Sequence, residues 1–199
     1  MGELRDSELK ELYKEYCNTF NNEQIVLGEG CTFSPLVIVG EAPGKDEVLQ
    51  GKPFVGAAGK NLKEFMELIG LSREEVFITN AIKYRLSRIN ERTNRVVNRP
   101  ATKFDILSNQ KWLHKEIKLL QPKIIVTLGN VPLKSVLNNF NSSVGSMHGT
   151  LQECSIEGHK YNLFPLYHPA SIIYNRSLLE TYNRDVLNLK EEIGNINIH

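Results

Sequence analysis

Apolar positions along this chain fall into two patterns, short unbroken runs and stretches at helical spacing. Leu9, Leu12, Tyr13 and Tyr16 sit at helical spacing and predict an amphipathic helix near the N-terminus. Leu36-Val37-Ile38-Val39 is a continuous apolar run closed by Gly40, the pattern of a strand buried on both faces. Leu62, Phe65, Met66 and Ile69 predict a second helix, with Gly70 as its stop. Val76-Phe77-Ile78-Thr79 predicts a second strand. Leu113, Ile117 and Leu120 mark a helix that ends before Pro122. Ile124-Ile125-Val126-Thr127-Leu128-Gly129 predicts a third buried strand, and Leu133, Val136 and Leu137 a short helix after it. Leu163-Phe164-Pro165-Leu166 predicts a fourth strand, weakened by a proline that cannot donate to a ladder. Leu179, Tyr182, Val186, Leu189 and Ile193 form a last helical stripe.

Strands alternating with helices are the mark of an α/β fold with a largely parallel sheet. No repeat or low-complexity linker interrupts the pattern, so residues 1–199 are expected to form a single domain. Ligands of such folds bind beyond the carboxyl ends of the strands. That rule points to four places: from Gly40, from Asn80, from Gly129 and from Tyr167-His168 onward.

Composition changes this picture little. With 199 residues, 41% apolar and 24% charged, the chain can bury a core without cross-links. No apolar run approaches the roughly 20 residues of a membrane span, and the charged N-terminus lacks a secretory apolar region. Three cysteines do not make a disulfide framework. A cytoplasmic, monomeric protein without a membrane partner is expected. Net charge is only +1, but Lys83, Arg85, Arg88, Arg92, Arg95, Arg99 and Lys103 crowd one stretch against a single acid, Glu91. Such a stretch either faces phosphates or is a solvated basic loop.

The loop after the first strand reads Gly40-Glu41-Ala42-Pro43-Gly44-Lys45-Asp46-Glu47. Its glycines and proline force a tight path and let a ligand approach the backbone. It is too short for a phosphate-binding P-loop, and Asp46 replaces the Ser or Thr that would hold magnesium. Acids here suit a site where a water is activated or positive charge develops; the plainer reading is surface acids at a helix start. The Gly/Pro-rich segment from Gly51 to Gly59 presents one aromatic, Phe54, either to a flat ligand or to the core. Asn80 offers both a donor and an acceptor, as a base-reading amide or a turn residue would. Pro169 fixes the chain just after His168, whose imidazole can meet a developing anion. Beyond it, Ser171, Ile172, Ile173 and Tyr174 form either an apolar wedge for a base stack or an ordinary helix start capped by Ser171.

Taken together, Gly40-Glu41-Ala42-Pro43-Gly44, Gly51-Lys52-Pro53-Phe54-Val55-Gly56, Ala58-Gly59, Asn80 and His168-Pro169-Ala170 resemble the uracil-DNA glycosylase superfamily. The family 4 type is the most similar, and the likeness runs from about Cys17 to Val186. It implies an αβα sandwich around a central four-stranded parallel sheet. It implies release of free uracil from DNA as the first step of base excision repair, with uracil-containing DNA as the partner and no divalent metal. Phe54 would stack on a flipped uracil, and Asn80 would read its N3 and O4. His168 would stabilise the charge on O2, and Glu41 would assist water attack. Ala42 and Glu47 would line the uracil pocket. Arg85, Arg88, Arg92, Arg95, Asn98 and Arg99, with Ser171, Ile172, Ile173 and Tyr174, would hold DNA.

The chain departs from that family in two places. Of the four positions that carry the cysteines of a four-iron cluster, only Cys17 is a thiol; the others fall on Phe20, Tyr84 and near Asn109. No iron–sulfur cluster and no other metal are therefore expected, with Phe20 and Tyr84 filling the space. The basic segment between Tyr84 and Asn98 is also longer than usual. It contains no histidine, so covalent trapping of DNA is not expected, and His148 reads as a surface residue. Two alternatives remain open: an inactive protein that binds uracil-containing DNA, and a glycosylase for another deaminated base such as hypoxanthine.

Overall fold

The computed structural model describes residues 2–196. In chain order the elements are α1 (Gly2–Thr19), β1 (Glu29–Gly30), β2 (Leu36–Gly40), α2 (Lys45–Gln50), α3 (Ala57–Ile69), β3 (Phe77–Asn80), β4 (Ser87–Asn90) and β5 (Arg95–Asn98). They continue with α4 (Lys103–Leu120), β6 (Ile124–Leu128), α5 (Asn130–Leu137), α6 (Val144–Met147), β7 (Gln152–Ile156), β8 (His159–Leu166), α7 (Pro169–Tyr174) and α8 (Leu179–Asn195). One six-stranded sheet runs in the order β1-β3-β2-β6-β8-β7. Its central strands β3, β2, β6 and β8 are parallel, as expected. The short β1 and the longer β7 add antiparallel edges that the apolar pattern does not announce.

The period of two along each strand divides the core. Val37 and Val39, with Phe77, Ile125 and Leu163, face α1, α4 and α5, where they meet Tyr16, Leu113, Ile117 and Leu133. Leu36 and Ile38, with Ile78, Val126 and Phe164, face α3 and α8 through Leu62, Phe65, Met66, Val186 and Leu189. Each such side chain, fully buried, contributes about 1.5–3 kcal/mol. A sheet buried on both faces has no polar side to show, which is why β2 and β6 read as unbroken apolar runs.

Helix ends follow local chemistry. α3 stops at Gly70, in a left-handed conformation at φ 78°. α4 starts at Thr102, whose Oγ1 accepts from the Asp105 amide at 3.2 Å while the Asp105 carboxylate accepts from Thr102 N at 2.8 Å. Pro165 sits inside β8 without penalty. The antiparallel partner β7 begins at Gln152, opposite Leu163, so no β7 residue pairs with the proline, and the Pro165 carbonyl still accepts from Gly149 N at 2.9 Å. The helix after His168 is capped by His168 itself and not by Ser171, because the imidazole accepts from Ala170 N.

The basic segment is an ordered hairpin, β4 paired with β5, rather than a solvated loop. Lys83 does not belong to its charge: it is buried and paired with Glu116 at 2.8 Å. Its place between Ile82 and Tyr84, directly after a buried strand, is the one local sign of that burial.

Candidate active site

A cleft of about 420 Å³ opens at the carboxyl ends of β2, β3 and β8. It is lined by Glu41, Ala42, Glu47, Phe54, Asn80, Asn98 and His168, together with Lys45 and Asp46. Three loops distant in the chain meet there because β3 and β2 are neighbours and only β6 separates β2 from β8. The β2 and β3 loops are also stitched directly, Ala81 N to Gly40 O at 2.8 Å and Ile82 N to Glu41 O at 3.0 Å.

Phe54 forms one wall. Its backbone lies at φ 53°, a left-handed conformation unusual for an aromatic residue. Such strain persists only when the surroundings over-determine it. Here Arg73, anchored to Glu29 at 2.8 Å, donates to the carbonyls of both Pro53 and Phe54. Gly59 leaves room for that carbonyl: a Cβ on Gly59 would lie 2.1 Å from Phe54 O. Gly40 serves the other end of the ring, because a Cβ there would lie 2.4 Å from both Phe54 Cζ and Asn80 Oδ1.

Glu47 is buried, and its carboxylate is occupied. It accepts from Gly44 N at 3.1 Å, Val55 N at 3.1 Å and Gly56 N at 2.8 Å, joining the two Gly-rich loops. Glu41 is half-buried, and burial pushes its carboxyl above the usual range, against a lowering contribution from a hydrogen bond with the Ala101 backbone. Asn80 is buried, yet among the described residues its side-chain amide has no partner; its backbone carbonyl accepts from Lys83 Nζ at 3.1 Å. The amide opens into the cleft, where a ligand can meet it.

His168 faces Phe54, with the two rings 6.4 Å apart between centroids and 22° from parallel. Burial pushes the imidazole below its usual range, which favours its neutral form. Its Nδ1 accepts from Ala170 N at 3.1 Å, which leaves the proton on Nε2 as a donor.

The remaining predicted positions divide. Asn98 lines the cleft and accepts from Arg85 Nε at 3.0 Å. Arg99 is engaged with Asp105 at 2.7 and 3.0 Å, a bidentate pair that holds the start of α4. Arg88, Arg92 and Arg95 are exposed on the hairpin and are not among the residues that line the cleft. Ser171 and Ile172 lie in α7, where Ile172 packs partly against the core; the side chains of Ile173 and Tyr174 lie outside the described residues. His148 is not a free surface residue: Nδ1 meets buried Asp185 at 2.6 Å, and the ring packs 4.7 Å from Tyr167. Sequence reasoning missed Arg73 and the burial of Lys83, whose roles are visible only through contacts distant in the chain; Gly59, part of the Gly-rich motif, was named without its role of making room for Phe54.

A model of the Uracil DNA glycosylase superfamily matches residues 27–189. The chain belongs to that superfamily. It is 36% identical over 173 residues to a type-4 uracil-DNA glycosylase of Saccharolobus solfataricus, covering 85% of this chain and 76% of the relative. It is likewise 36% identical to one of Archaeoglobus fulgidus, covering 85% of this chain and 82% of that protein. A third, from Sulfurisphaera tokodaii, is 35% identical over 83% of this chain and 73% of its own length.

These superfamily relatives correct one expectation. Type-4 enzymes are iron–sulfur proteins, so the reading of a cofactor-free chain from its cysteine count does not stand. That no group of three or more His, Cys, Asp or Glu suited to a metal occurs among the described residues does not rescue it. The side chains at the four positions are nonetheless not four thiolates. Cys17 is a free thiol, Phe20 packs 5.2 Å from Tyr84, and Asn109 Nδ2 donates to the Tyr84 hydroxyl at 3.2 Å. That donor set does not fit four-cysteine coordination.

Proposed function

We propose that this chain is a uracil-DNA glycosylase that hydrolyses the N-glycosidic bond of deoxyuridine in DNA and releases free uracil. The observation that carries this reading is the convergence of an unpartnered Asn80 amide, the Phe54 ring and a neutral His168 donor on one cleft. Flipping a base out of the stack costs a few kcal/mol, which stacking and edge hydrogen bonds return. Phe54 takes the face of the base. Asn80 reads its N3–H and O4, and cytosine is refused because its exocyclic amine reverses the donor–acceptor pattern. The Nε2–H of His168 meets O2 as the bond breaks and the uracil anion forms. Glu41 orients water or offsets positive charge on the sugar, while Ala42 lines the pocket. Glu47 shapes the pocket through three backbone amides more than through the base. Arg85 and Asn98 stand at the mouth, and Arg88, Arg92 and Arg95 contact phosphates.

A single-turnover assay in EDTA, on duplexes carrying uracil, hypoxanthine or thymine and followed by alkaline cleavage, tests the reading. Breakage at uracil alone is expected; tight uracil-dependent binding without cleavage would replace catalysis by sequestration. Glu41→Gln is expected to lower kcat by roughly 10²-fold or more with binding retained, as loss of a general base does. Because burial raises the Glu41 carboxyl, the rate should fall on the acid side above the usual carboxylate range, and that limb should vanish in Glu41→Gln. Gly40→Ala forces Phe54 and Asn80 apart. It should cost about 1–3 kcal/mol, the usual scale of overpacking, and raise KM; an unchanged KM would separate the ring from uracil binding.

A further inference from the structure

The hairpin β4–β5 has two unlike faces. Ile89 pairs with Val96 across the strands, and Ser87 pairs with Asn98, so these four share one face. Arg88 pairs with Val97 and Asn90 with Arg95 on the other. Ile89 is 63% exposed and Val96 54%, although they are the apolar pair of the ribbon. They share their face with Asn98, which lines the cleft. Among the described residues, Arg88, Arg92 and Arg95 have no ion-pair partner.

The turn is built rather than slack. Asn90 Oδ1 accepts from Arg92 N at 3.1 Å and Thr93 N at 3.2 Å, and Asn94 takes φ 50°. A two-stranded ribbon with no third strand is marginal in water unless something covers it. An exposed apolar pair on one face, with unpaired arginines on the other face and at the turn, fits a polyanion with an apolar floor.

We infer that the hairpin is a duplex-reading element. It lies in the major groove beside the opened nucleotide, with Ile89 and Val96 against the base edges, while Arg92 at the turn and the long side chains of Arg88 and Arg95, which start from the opposite face, reach the phosphates at the groove rims. Width decides the groove. The major groove, about 12 Å wide, admits a two-stranded ribbon, and the minor groove, about 6 Å, does not. Apolar side chains on that floor meet thymine methyl groups and pyrimidine edges, which a single strand does not hold in place. The inference rests on the proposed action on DNA, and it adds that duplex substrate is engaged differently from single strands.

Binding separates this from the chemistry. Anisotropy of a uracil-free duplex and of the matching single strand would be measured across salt for the parent chain, for Ile89→Thr/Val96→Thr and for Arg88→Gln/Arg92→Gln/Arg95→Gln. Threonine keeps the β-branched character of the strands, and melting temperatures report folding. The threonine variant should bind duplex about tenfold more weakly at an unchanged salt slope, with single-strand binding within about twofold of the parent. The glutamine variant should flatten the duplex slope by roughly 2 to 3, near 0.9 for each phosphate that is no longer neutralised. Bulky C5 substituents on flanking pyrimidines should weaken the parent and leave the threonine variant unchanged. Equal loss on both DNA forms, no loss on either, or indifference of the parent to those substituents would overturn the inference. A parent that binds in this pattern but releases no uracil would sink the proposed activity and leave the hairpin's role intact.

Discussion

Replacing His168 by alanine is expected to lower kcat on a uracil-containing duplex by roughly 10²–10³-fold while KM moves little. The imidazole acts on a charge that exists only as the glycosidic bond breaks. Its neutral state suits that task, since a donor in a dry cleft needs no reorganisation when the anion forms. Ala170 N holds Nδ1, so the Nε2 proton is already in place. The same hydrogen bond caps α7, and loss of a cap alone costs about 1 kcal/mol. Asparagine separates the two roles. His168→Asn can cap the helix through Oδ1 but carries no donor at the Nε2 position. It should therefore recover the melting temperature lost in His168→Ala and recover little of kcat. Full recovery of both by asparagine would reduce His168 to a cap.

Acidity gives an independent reading of the same residue. Burial lowers the imidazole's proton affinity in the folded chain. As pH falls, the unfolded chain takes up this proton first. His168 therefore takes nothing from stability above the usual histidine range, and lowers it progressively as pH drops below. Activity should show no inflection where an ordinary histidine titrates, and His168→Ala should be less acid-sensitive in unfolding than the parent.

The parallel core was legible because β2, β3 and β6 are buried on both faces, and burial on both faces writes itself as an unbroken apolar run. The hairpin was not. Its strands carry few apolar residues, its turn is Glu91-Arg92-Thr93-Asn94 with no Asn-Gly signal, and its charge outweighs its alternation. The lining of the cleft was legible because tight loops at strand ends draw on Gly, Pro and a few polar side chains. What supports that lining was hidden. Arg73 reaches Phe54 across 19 positions and Lys83 reaches Glu116 across 33, and no local pattern encodes a contact between segments so far apart. Lys83 also shows how a charge count misleads, since a lysine in a basic stretch counts toward a surface it never reaches.

Lys83→Met is expected to destabilise the protein by about 3–5 kcal/mol, because it leaves a buried carboxylate without its counter-charge. The pair is fully enclosed, with side chains 2% and 0% exposed. Lys83 Nζ donates to Glu116 Oε2 at 2.8 Å, Thr79 Oγ1 at 3.0 Å and Asn80 O at 3.1 Å. Glu116 accepts as well from Thr79 and from the Tyr13 hydroxyl, whose proton is held firmly because burial and Glu116 both raise its pKa. Removing both charges should cost much less than removing one. Lys83→Met/Glu116→Leu should then regain a large part of the stability, measured by urea unfolding as a coupling of opposite sign to the single losses. Catalysis should not follow. In the double variant the Asn80 carbonyl still lacks its donor, so the strand end that presents the amide is less firmly held. A kcat/KM for uracil that stays depressed after stability returns would make Lys83 a positioning residue for Asn80. A kcat/KM that returns with stability would leave it a core ion pair and nothing more.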